Sequence, residues 1–236
     1  MSPYGGSIPT PARTGGPLAP RTYPLAKPGT ALTVFPSRRE TVPHELVEYL
    51  ASVFNAVVEE GRTYPQMSAL SVGEFAAYFF SADCFIGLLD VAPTDLGDAS
   101  AGMDREQEYS LESVRAGRDW KECVLGMFYV KPNYPGRSSH LCNGGFVVPS
   151  HHRGLRVGST LGRSYLYFAP SLGYRGSVFN LVYVSNEASV RIWDGLGFKR
   201  AGLIPGAGKL KSTTPGGEDD IVDAIVFYYD FTGQRR

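Results

Sequence analysis

The spacing of apolar and polar residues predicts two helices in the first third of the chain. In "VPHELVEYLASVFNAVVEEG" the apolar residues recur every three or four positions, which is the period of an amphipathic helix, and Gly61 ends the run. The stretch "SVGEFAAYFF" (71–80) predicts a second, shorter helix. Ser71 is placed to cap its N-terminus, and Glu74 completes a capping box.

Runs rich in Val, Ile, Phe and Tyr predict strands, which alternate with two further helices. The predicted strands cover residues 31–35, 84–91, 122–132, 142–149, 177–185, 199–207 and 221–231. One of the later helices starts near Gly158, and the other covers 186–198. This alternation predicts an α/β or α+β domain with a central sheet and helices on both faces.

Two segments depart from this pattern. Residues 1–30 contain seven prolines among several glycines and predict an N-terminal arm that is either disordered or laid along the domain. A polar, largely acidic insertion near 92–119 is expected to be a loop with at most one helical turn. The rest of the chain, 31–236, predicts a single domain with one core.

Charge and cysteine content restrict the possible partners. Lys and Arg together number 23, and so do Asp and Glu, so no overall positive field attracts nucleic acid or anionic lipid. No stretch approaches the length of a membrane span, and the N-terminus has no apolar signal region. The three cysteines are scattered, and the four histidines lack metal-ligand spacing. We expect a cytoplasmic protein that binds no nucleic acid, membrane or metal.

The junction "VVPSHHRGLRVGSTLGRSYLYF" (147–168) predicts an anion site. A strand leads through a short loop into a helix whose first N–H groups have no intrahelical partner, and the helix dipole adds positive charge there. Gly154 and Gly158 let a ligand approach the main chain. A pyrophosphate fits this description. The alternative is a solvated turn in which Arg153 and Arg156 point outward.

Two amides interrupt apolar strands and need partners. Asn143 lies in "CNGGFVV" and Asn180 in "VFNLVYV", where an unpaired buried amide costs about 1–3 kcal/mol. Each amide either pairs across the sheet or binds a ligand, and neutral donors of this kind suit a carboxylate. His140 is the titratable residue nearest to Asn143 in sequence. It is either a general base or a residue at a strand edge, and water can also take a proton.

Two stretches resemble motifs of the GCN5-related N-acetyltransferase (GNAT) superfamily. "RGLRVG" is similar to its pyrophosphate-binding loop, although Arg156 stands where the consensus has its first glycine. "NEASVRIWDGLGFKRAG" is similar to the helix that flanks acetyl-CoA. Over roughly residues 120–231, including "KPNYPGRSSHLCNGGFVV", the chain most resembles the fungal proline-analogue (azetidine-2-carboxylate) N-acetyltransferases. The residues that match the two superfamily motifs are Arg153 and Gly158 in the loop and Asn186, Ser189, Leu196, Gly197 and Phe198 in the helix.

The resemblance implies a mixed, mostly antiparallel twisted sheet and transfer of an acetyl group from acetyl-CoA to the ring amine of a small imino acid. It implies that Asn143 and Asn180 hold the substrate and that the enzyme is a homodimer, with the apolar strand "IVDAIVFYYDF" suited to an interface. Asn186 is expected to stabilise the leaving thiolate, unless it is only a helix cap, because Trp193 replaces the tyrosine acid of many relatives. The expected acetyl-CoA-binding residues are Phe146, Val147, Val148, Arg153, Gly154, Leu155, Arg156, Val157, Gly158 and Ser159.

Two other functions remain open. The first is acetylation of a different small amine, in a pocket walled by aromatic residues, namely Tyr64, Tyr78, Phe79 and Tyr134. The second is a non-catalytic acyl-CoA-binding protein, which the absence of a tyrosine at position 193 favours and the presence of all three asparagines opposes.

Overall fold

A computed structural model describes residues 16–92, 102–105, 109–214 and 216–233. The strands are β1 (Arg21–Pro24), β2 (Thr30–Ser37), β3 (Asp83–Val91), β4 (Met103–Asp104), β5 (Val124–Pro132), β6 (Leu141–Val147), β7 (Gly176–Tyr183), β8 (Lys199–Leu210) and β9 (Asp220–Asp230). The α-helices are α1 (His44–Glu60), α2 (Val72–Phe79), α3 (Leu111–Arg115), α4 (Trp120–Cys123), α5 (Val157–Ser171) and α6 (Glu187–Gly195).

The strands form one sheet in the order β4-β1-β2-β3-β5-β6-β7-β9-β8. Every neighbouring pair is antiparallel except β6 and β7, which are parallel. Buried residues of α1 and α2 form a core with one face of the sheet, and those of α5 and α6 form a core with the other. The predicted fold class, with helices on both faces of a mostly antiparallel sheet, is confirmed.

Local sequence signals placed the first two helices correctly. Gly61 ends α1 with φ 66°, in the left-handed region that favours glycine, and its N–H donates to the Val58 carbonyl. Ser71 and Glu74 form the predicted capping box on α2. The C-terminus of α1 and the N-terminus of α2 therefore lie where these capping residues satisfy main-chain groups.

Part of the predicted arm belongs to the sheet. β1 lies within residues 1–30 and pairs with β2 along all four of its residues. Tyr23 is 1% exposed, and the Thr22 hydroxyl lies 2.7 Å from that of Thr33. These buried contacts hold the strand despite the surrounding prolines. Residues 1–15 lie outside the described ranges.

Two other sequence predictions need correction. The strand predicted from residue 122 starts at Val124, because Trp120 and Cys123 are buried on the short helix α4. The described part of the 92–119 insertion contains one five-residue helix, α3, which agrees with the expected helical turn, but it also contains the strand residues Met103–Asp104, which were not predicted. Residues 93–101 and 106–108 lie outside the description.

The apolar character of the C-terminal strand has an explanation within one chain. β9 lies between β7 and β8, and its residues Ala224, Ile225 and Phe227 are buried. The pattern that suggested an interface between two copies is therefore satisfied by the sheet itself. Across the described ranges, no helix is both long enough and apolar enough to cross a membrane.

The parallel pair β6 and β7 is joined at one end only. Leu141 pairs with Gly176 and Cys142 pairs with Ser177. Beyond these residues β6 and β7 are not paired with each other. Tyr165 of α5 connects the joined ends, because its hydroxyl lies 3.1 Å from Cys142 Sγ and 2.7 Å from Ser177 Oγ. All three side chains are completely buried. Tyr165 therefore fixes the point from which β6 and β7 diverge.

Replacing Tyr165 by Phe should lower the free energy of unfolding by about 1–3 kcal/mol, because it leaves the buried Ser177 hydroxyl without its partner. Urea unfolding of the variant measures this loss. The double variant Tyr165→Phe/Ser177→Ala should recover part of the lost stability, because both polar partners are then gone.

Tyr167→Phe is the matched control on the same helix, since the Tyr167 hydroxyl contacts the exposed Asp104. It should change stability by no more than about 0.5 kcal/mol. Equal unfolding of Tyr165→Phe and the parent would contradict the assignment.

Candidate active site

Between β6 and β7 the sheet opens and leaves one edge of β6 without a strand partner. The His140 carbonyl accepts from Arg175 N–H on the β7 side, whereas the Leu141 carbonyl accepts from Asn133 N–H on the β5 side. Main-chain groups alternate in direction along a strand, so those of Gly144 and Phe146 point into the opening. Accordingly, the Phe146 carbonyl accepts a hydrogen bond from the Tyr64 hydroxyl at 3.3 Å. The main chain of Val147, by the same alternation, faces β5.

Three asparagine side chains meet just inside the joined end of this opening. Asn143 of β6 and Asn180 of β7 both donate through Nδ2 to Oδ1 of Asn133, over 3.0 Å and 2.6 Å. Asn133 in turn donates through Nδ2 to Asn180 Oδ1 over 3.1 Å. The Tyr134 hydroxyl lies 3.5 Å from the same Asn180 oxygen. The structure thus brings together the two predicted asparagines and adds a third.

A β-bulge places Asn180 in this cluster. In the register of β7 with β9, Phe179 pairs with Phe227 and Val182 pairs with Ile225. Two residues of β7 therefore stand opposite one residue of β9, which is the pattern of a bulge. The flanking Phe179 is buried in the core beneath α5, while Asn180 is half-buried and bonded to Asn133.

Aromatic residues and one lysine line the α1/α2 side of the opening. The hydroxyls of Tyr78 and Tyr129 lie 3.1 Å apart, and the Lys131 ammonium lies 4.4 Å and 4.2 Å from their ring centres. Burial, with a smaller contribution from neighbouring tyrosines, raises the pKa of Tyr64 and Tyr129 well above the usual range. Burial lowers the pKa of Lys131 to about 8. Phe79, predicted as a pocket wall, is instead completely buried in the core with α1.

Glycine at position 145 makes room for this arrangement. A Cβ at Gly145 would stand 2.5 Å from the Tyr129 ring, closer than any carbon contact allows. On the other face of β6, a Cβ at Gly144 would stand 2.8 Å from Tyr165. The two glycines that follow Asn143 therefore let large rings pack against both faces of the strand.

The loop before α5 presents an uncapped helix N-terminus. Gly154 and Arg156 adopt φ 81° and 60°, in the left-handed region, and no side chain caps the helix. The left-handed conformation of Arg156 explains why glycine is the consensus residue at this position. Of the predicted loop residues, Leu155 is 53% exposed and Val157 is buried. The first N–H groups of α5 are available to a ligand.

Other contacts fix the position of this loop. Arg153 donates to Glu60 of α1 at 3.0 Å, so its charge is already paired. A Cβ at Gly158 would stand 3.1 Å from Ile192 of α6, so the start of α5 packs closely on that helix. The rings of His151 and His152 both contact the Lys121 carbonyl, at 2.9 Å and 3.3 Å.

At the start of α6, Asn186 has the structural role that was the alternative in the sequence analysis. Its Oδ1 accepts from Ser189 N–H at 3.2 Å, which makes it the helix cap. The other half of the amide, the NH2 group, makes no hydrogen bond with any residue that the structure describes. Trp193 is 5% exposed and donates to Ser189 Oγ at 2.9 Å, so its indole serves the core. Capping therefore uses the Oδ1 atom of Asn186 and does not involve its NH2 group.

His140 lies on the surface, and the structure shows no chemical role for it. Its ring nitrogen lies 3.1 Å from the Arg137 carbonyl in the exposed loop before β6. Within the described ranges, no three or more His, Cys, Asp or Glu residues form a group that could hold a metal ion.

Sequence reasoning did not single out Asn133 or Lys131. Lys131 is the one charged residue in the strand "VLGMFYVKP", and this interruption of an apolar run was an available signal. Asn133 follows the same strand and has no signal of its own. Its role depends on the loop that returns it to Asn143, ten positions later in the chain.

Comparison with known proteins identifies the family, although no family model matches the chain. N-acetyltransferase aca1 of Schizosaccharomyces pombe is 40% identical over 79% of this chain and 81% of that protein. Protein SPT10 of Saccharomyces cerevisiae is 31% identical over 92% of this chain, which spans only 36% of that longer protein.

Solved structures share the fold. A GCN5-related N-acetyltransferase from Kribbella flavida has a TM-score of 0.62 and 20% identity, and covers 84% of this chain and 97% of its own. A GNAT superfamily phosphinothricin acetyltransferase from Sinorhizobium meliloti, in complex with acetyl-CoA, has a TM-score of 0.60 and 13% identity, with coverage of 84% and 88%. From the fold and the 40% identical relative, the chain belongs to the GCN5-related N-acetyltransferase superfamily.

Proposed function

We propose that this enzyme transfers the acetyl group of acetyl-CoA to the ring amine of a small imino acid such as azetidine-2-carboxylate. The observation that carries the proposal is the convergence of two amide donors on one acceptor. Asn143 and Asn180 both aim Nδ2 at the single oxygen Oδ1 of Asn133. A carboxylate oxygen that displaces Asn133 Oδ1 from that position can accept from the same two donors, and charge-assisted hydrogen bonds are stronger than those between amides.

The opening also suits the acyl donor. The Phe146 N–H points away from β5, so an extended pantetheine arm can pair with this edge of β6 as a missing strand would. The uncapped N-terminus of α5, including Gly158 and Ser159, then holds the pyrophosphate through main-chain N–H groups. The Sinorhizobium meliloti acetyltransferase with this fold is described with acetyl-CoA bound, which supports the assignment.

The reaction needs positioning and stabilisation of charge. The lone pair of the acceptor amine attacks the thioester carbonyl carbon, the new C–N bond forms and an oxyanion develops. The C–S bond then breaks, the CoA thiolate leaves, and the proton of the amine passes to water. The free NH2 group of Asn186 is the donor we assign to the leaving sulfur, at a helix N-terminus that also favours negative charge.

Ser159→Glu should weaken acetyl-CoA binding while leaving the fold intact. Ser159 is the third residue of α5. A carboxylate there stabilises the helix through its interaction with the helix dipole, but it repels a pyrophosphate. Calorimetry should show a dissociation constant raised by about tenfold or more, with unchanged or higher thermal stability. The neutral control Ser159→Gln should bind acetyl-CoA nearly as well as the parent. Parent-like binding by Ser159→Glu would mean that the pyrophosphate lies elsewhere.

Variants of Asn186 can separate its capping from its catalytic role. Asp and Ser both cap helices as well as Asn does, but neither carries the NH2 group. Asn186→Ser should lower kcat by about tenfold or more. Asn186→Asp should lower kcat further, because the Asp charge lies beside the developing thiolate. Thermal melting should be nearly the same for all three proteins. A loss of kcat that simply follows a loss of stability would identify Asn186 as a cap and nothing more.

Asn180→Ala should discriminate between acceptors with and without a carboxylate. With azetidine-2-carboxylate, the fall in kcat/KM should correspond to a loss of about 1–3 kcal/mol in transition-state stabilisation. Most of this loss should appear as a higher KM. With azetidine, which lacks the carboxylate, the variant and the parent should be equally poor. Leu181→Ala is the matched control, because Leu181 occupies the same bulge but is exposed. An equal fall on both amines would show that Asn180 supports the sheet and not the substrate.

A further inference from the structure

One cation, Lys131, lies on the acceptor side of the opening, next to Tyr78 and Tyr129. Lys131 pairs with Asn143 in the antiparallel register of β5 and β6, so the two side chains project from the same face of the sheet. Its ammonium lies against the rings of Tyr78 and Tyr129, at 4.4 Å and 4.2 Å from their centres. Lys131 therefore lies on the same face of the sheet as Asn143 of the asparagine cluster.

No acid in the described ranges neutralises this cation. Among the residues the structure describes, Lys131 forms no ion pair, and burial alone accounts for its lowered pKa. Asp83 of the neighbouring strand pairs with Val130, so its side chain projects from the opposite face. The titratable residues that face Lys131 are Tyr78 and Tyr129, whose rings lie against its ammonium. Aromatic faces stabilise an ammonium by only about 1–2 kcal/mol, so the site remains deficient in negative charge.

We propose that Lys131 is the counter-ion of the acceptor's carboxylate and the residue that makes the enzyme selective for amino and imino acids over simple amines. This inference rests on the proposed function, because it concerns the acceptor of the same reaction. Asn143 and Asn180 contribute neutral donors, and Lys131 contributes the charge. A site with donors and a cation but no acid selects an anionic acceptor.

The same charge has a second effect on the reaction. An ammonium beside the bound amine disfavours the protonated form of that amine, which cannot attack the thioester. Cationic amines without a carboxylate are repelled from the site, since no acid among the residues described near Lys131 offsets their charge. Selectivity for a carboxylate and deprotonation of the nucleophile therefore have one physical cause.

The test compares Lys131→Met and Lys131→Arg with the parent on azetidine-2-carboxylate and on azetidine. Met keeps the volume and removes the charge, whereas Arg keeps the charge. With azetidine-2-carboxylate, Lys131→Met should lose about 30-fold or more in kcat/KM, and Lys131→Arg should retain most of the activity. With azetidine, Lys131→Met should match or exceed the parent. Lys199→Met, at an exposed position of β8, controls for the change in net charge.

A binding measurement makes the inference independent of turnover. Cyclobutanecarboxylate carries the acid but no amine, so calorimetry should detect its binding to the parent and to Lys131→Arg but not to Lys131→Met. Its affinity for the parent should fall as the pH rises above about 8, because Lys131 then loses its proton. Burial keeps Tyr64 and Tyr129 protonated in this range.

The outcomes distinguish this inference from the proposed function. If the parent acetylates neither amine but binds cyclobutanecarboxylate only when residue 131 is cationic, the proposed function fails and the carboxylate site stands. If Lys131→Met loses kcat equally on both amines and Lys131→Arg fails with it, Lys131 is a general base and the counter-ion role is overturned. Equal binding of cyclobutanecarboxylate by the parent and Lys131→Met also overturns it.

Discussion

The contact of the Tyr165 hydroxyl with Cys142 and Ser177 determines where the sheet opens. It joins β6 and β7 at one end, beneath α5, and the two strands separate beyond it. A continuous sheet at this point would satisfy every main-chain group and leave no site. Because pairing stops after two residues, the N–H of Phe146 becomes available to a ligand, and Asn143 and Asn180 lie at the start of the gap, where both donate to Asn133.

The asparagine side chains of the opening are paired in the free protein, whereas the Lys131 ammonium is not paired with an acid among the described residues. The three asparagines satisfy one another, so the cluster carries little desolvation penalty before a ligand binds. Among the described residues, Lys131 has only aromatic rings as partners, so no carboxylate there compensates its charge. Neutral amides thus stabilise the site when it is empty, and the proposed role of the lysine is to give the site a preference for carboxylates.

Much of this architecture could be predicted from local sequence, because caps and periodicity are local properties. Ser71, Glu74 and Gly61 marked the ends of α1 and α2 correctly, and the sequence motifs indicated the family that the comparisons establish. Residues whose roles depend on pairing between distant strands could not be found in this way. Asn133 acts through a loop contact, and Lys131 matters because of its register with Asn143. Phe79 was placed in the pocket because its aromatic character does not reveal which face of α2 it occupies.

The claim that β6 offers its free edge to acetyl-CoA can be tested by residue-resolved amide hydrogen exchange in the presence and absence of the ligand. The Phe146 amide should exchange rapidly in the free protein and become protected when acetyl-CoA binds. The Val147 amide, directed towards β5, should be protected in both states and serves as the internal reference. Saturating acetyl-CoA that protects amides elsewhere but leaves Phe146 unchanged would contradict this account of the opening between β6 and β7.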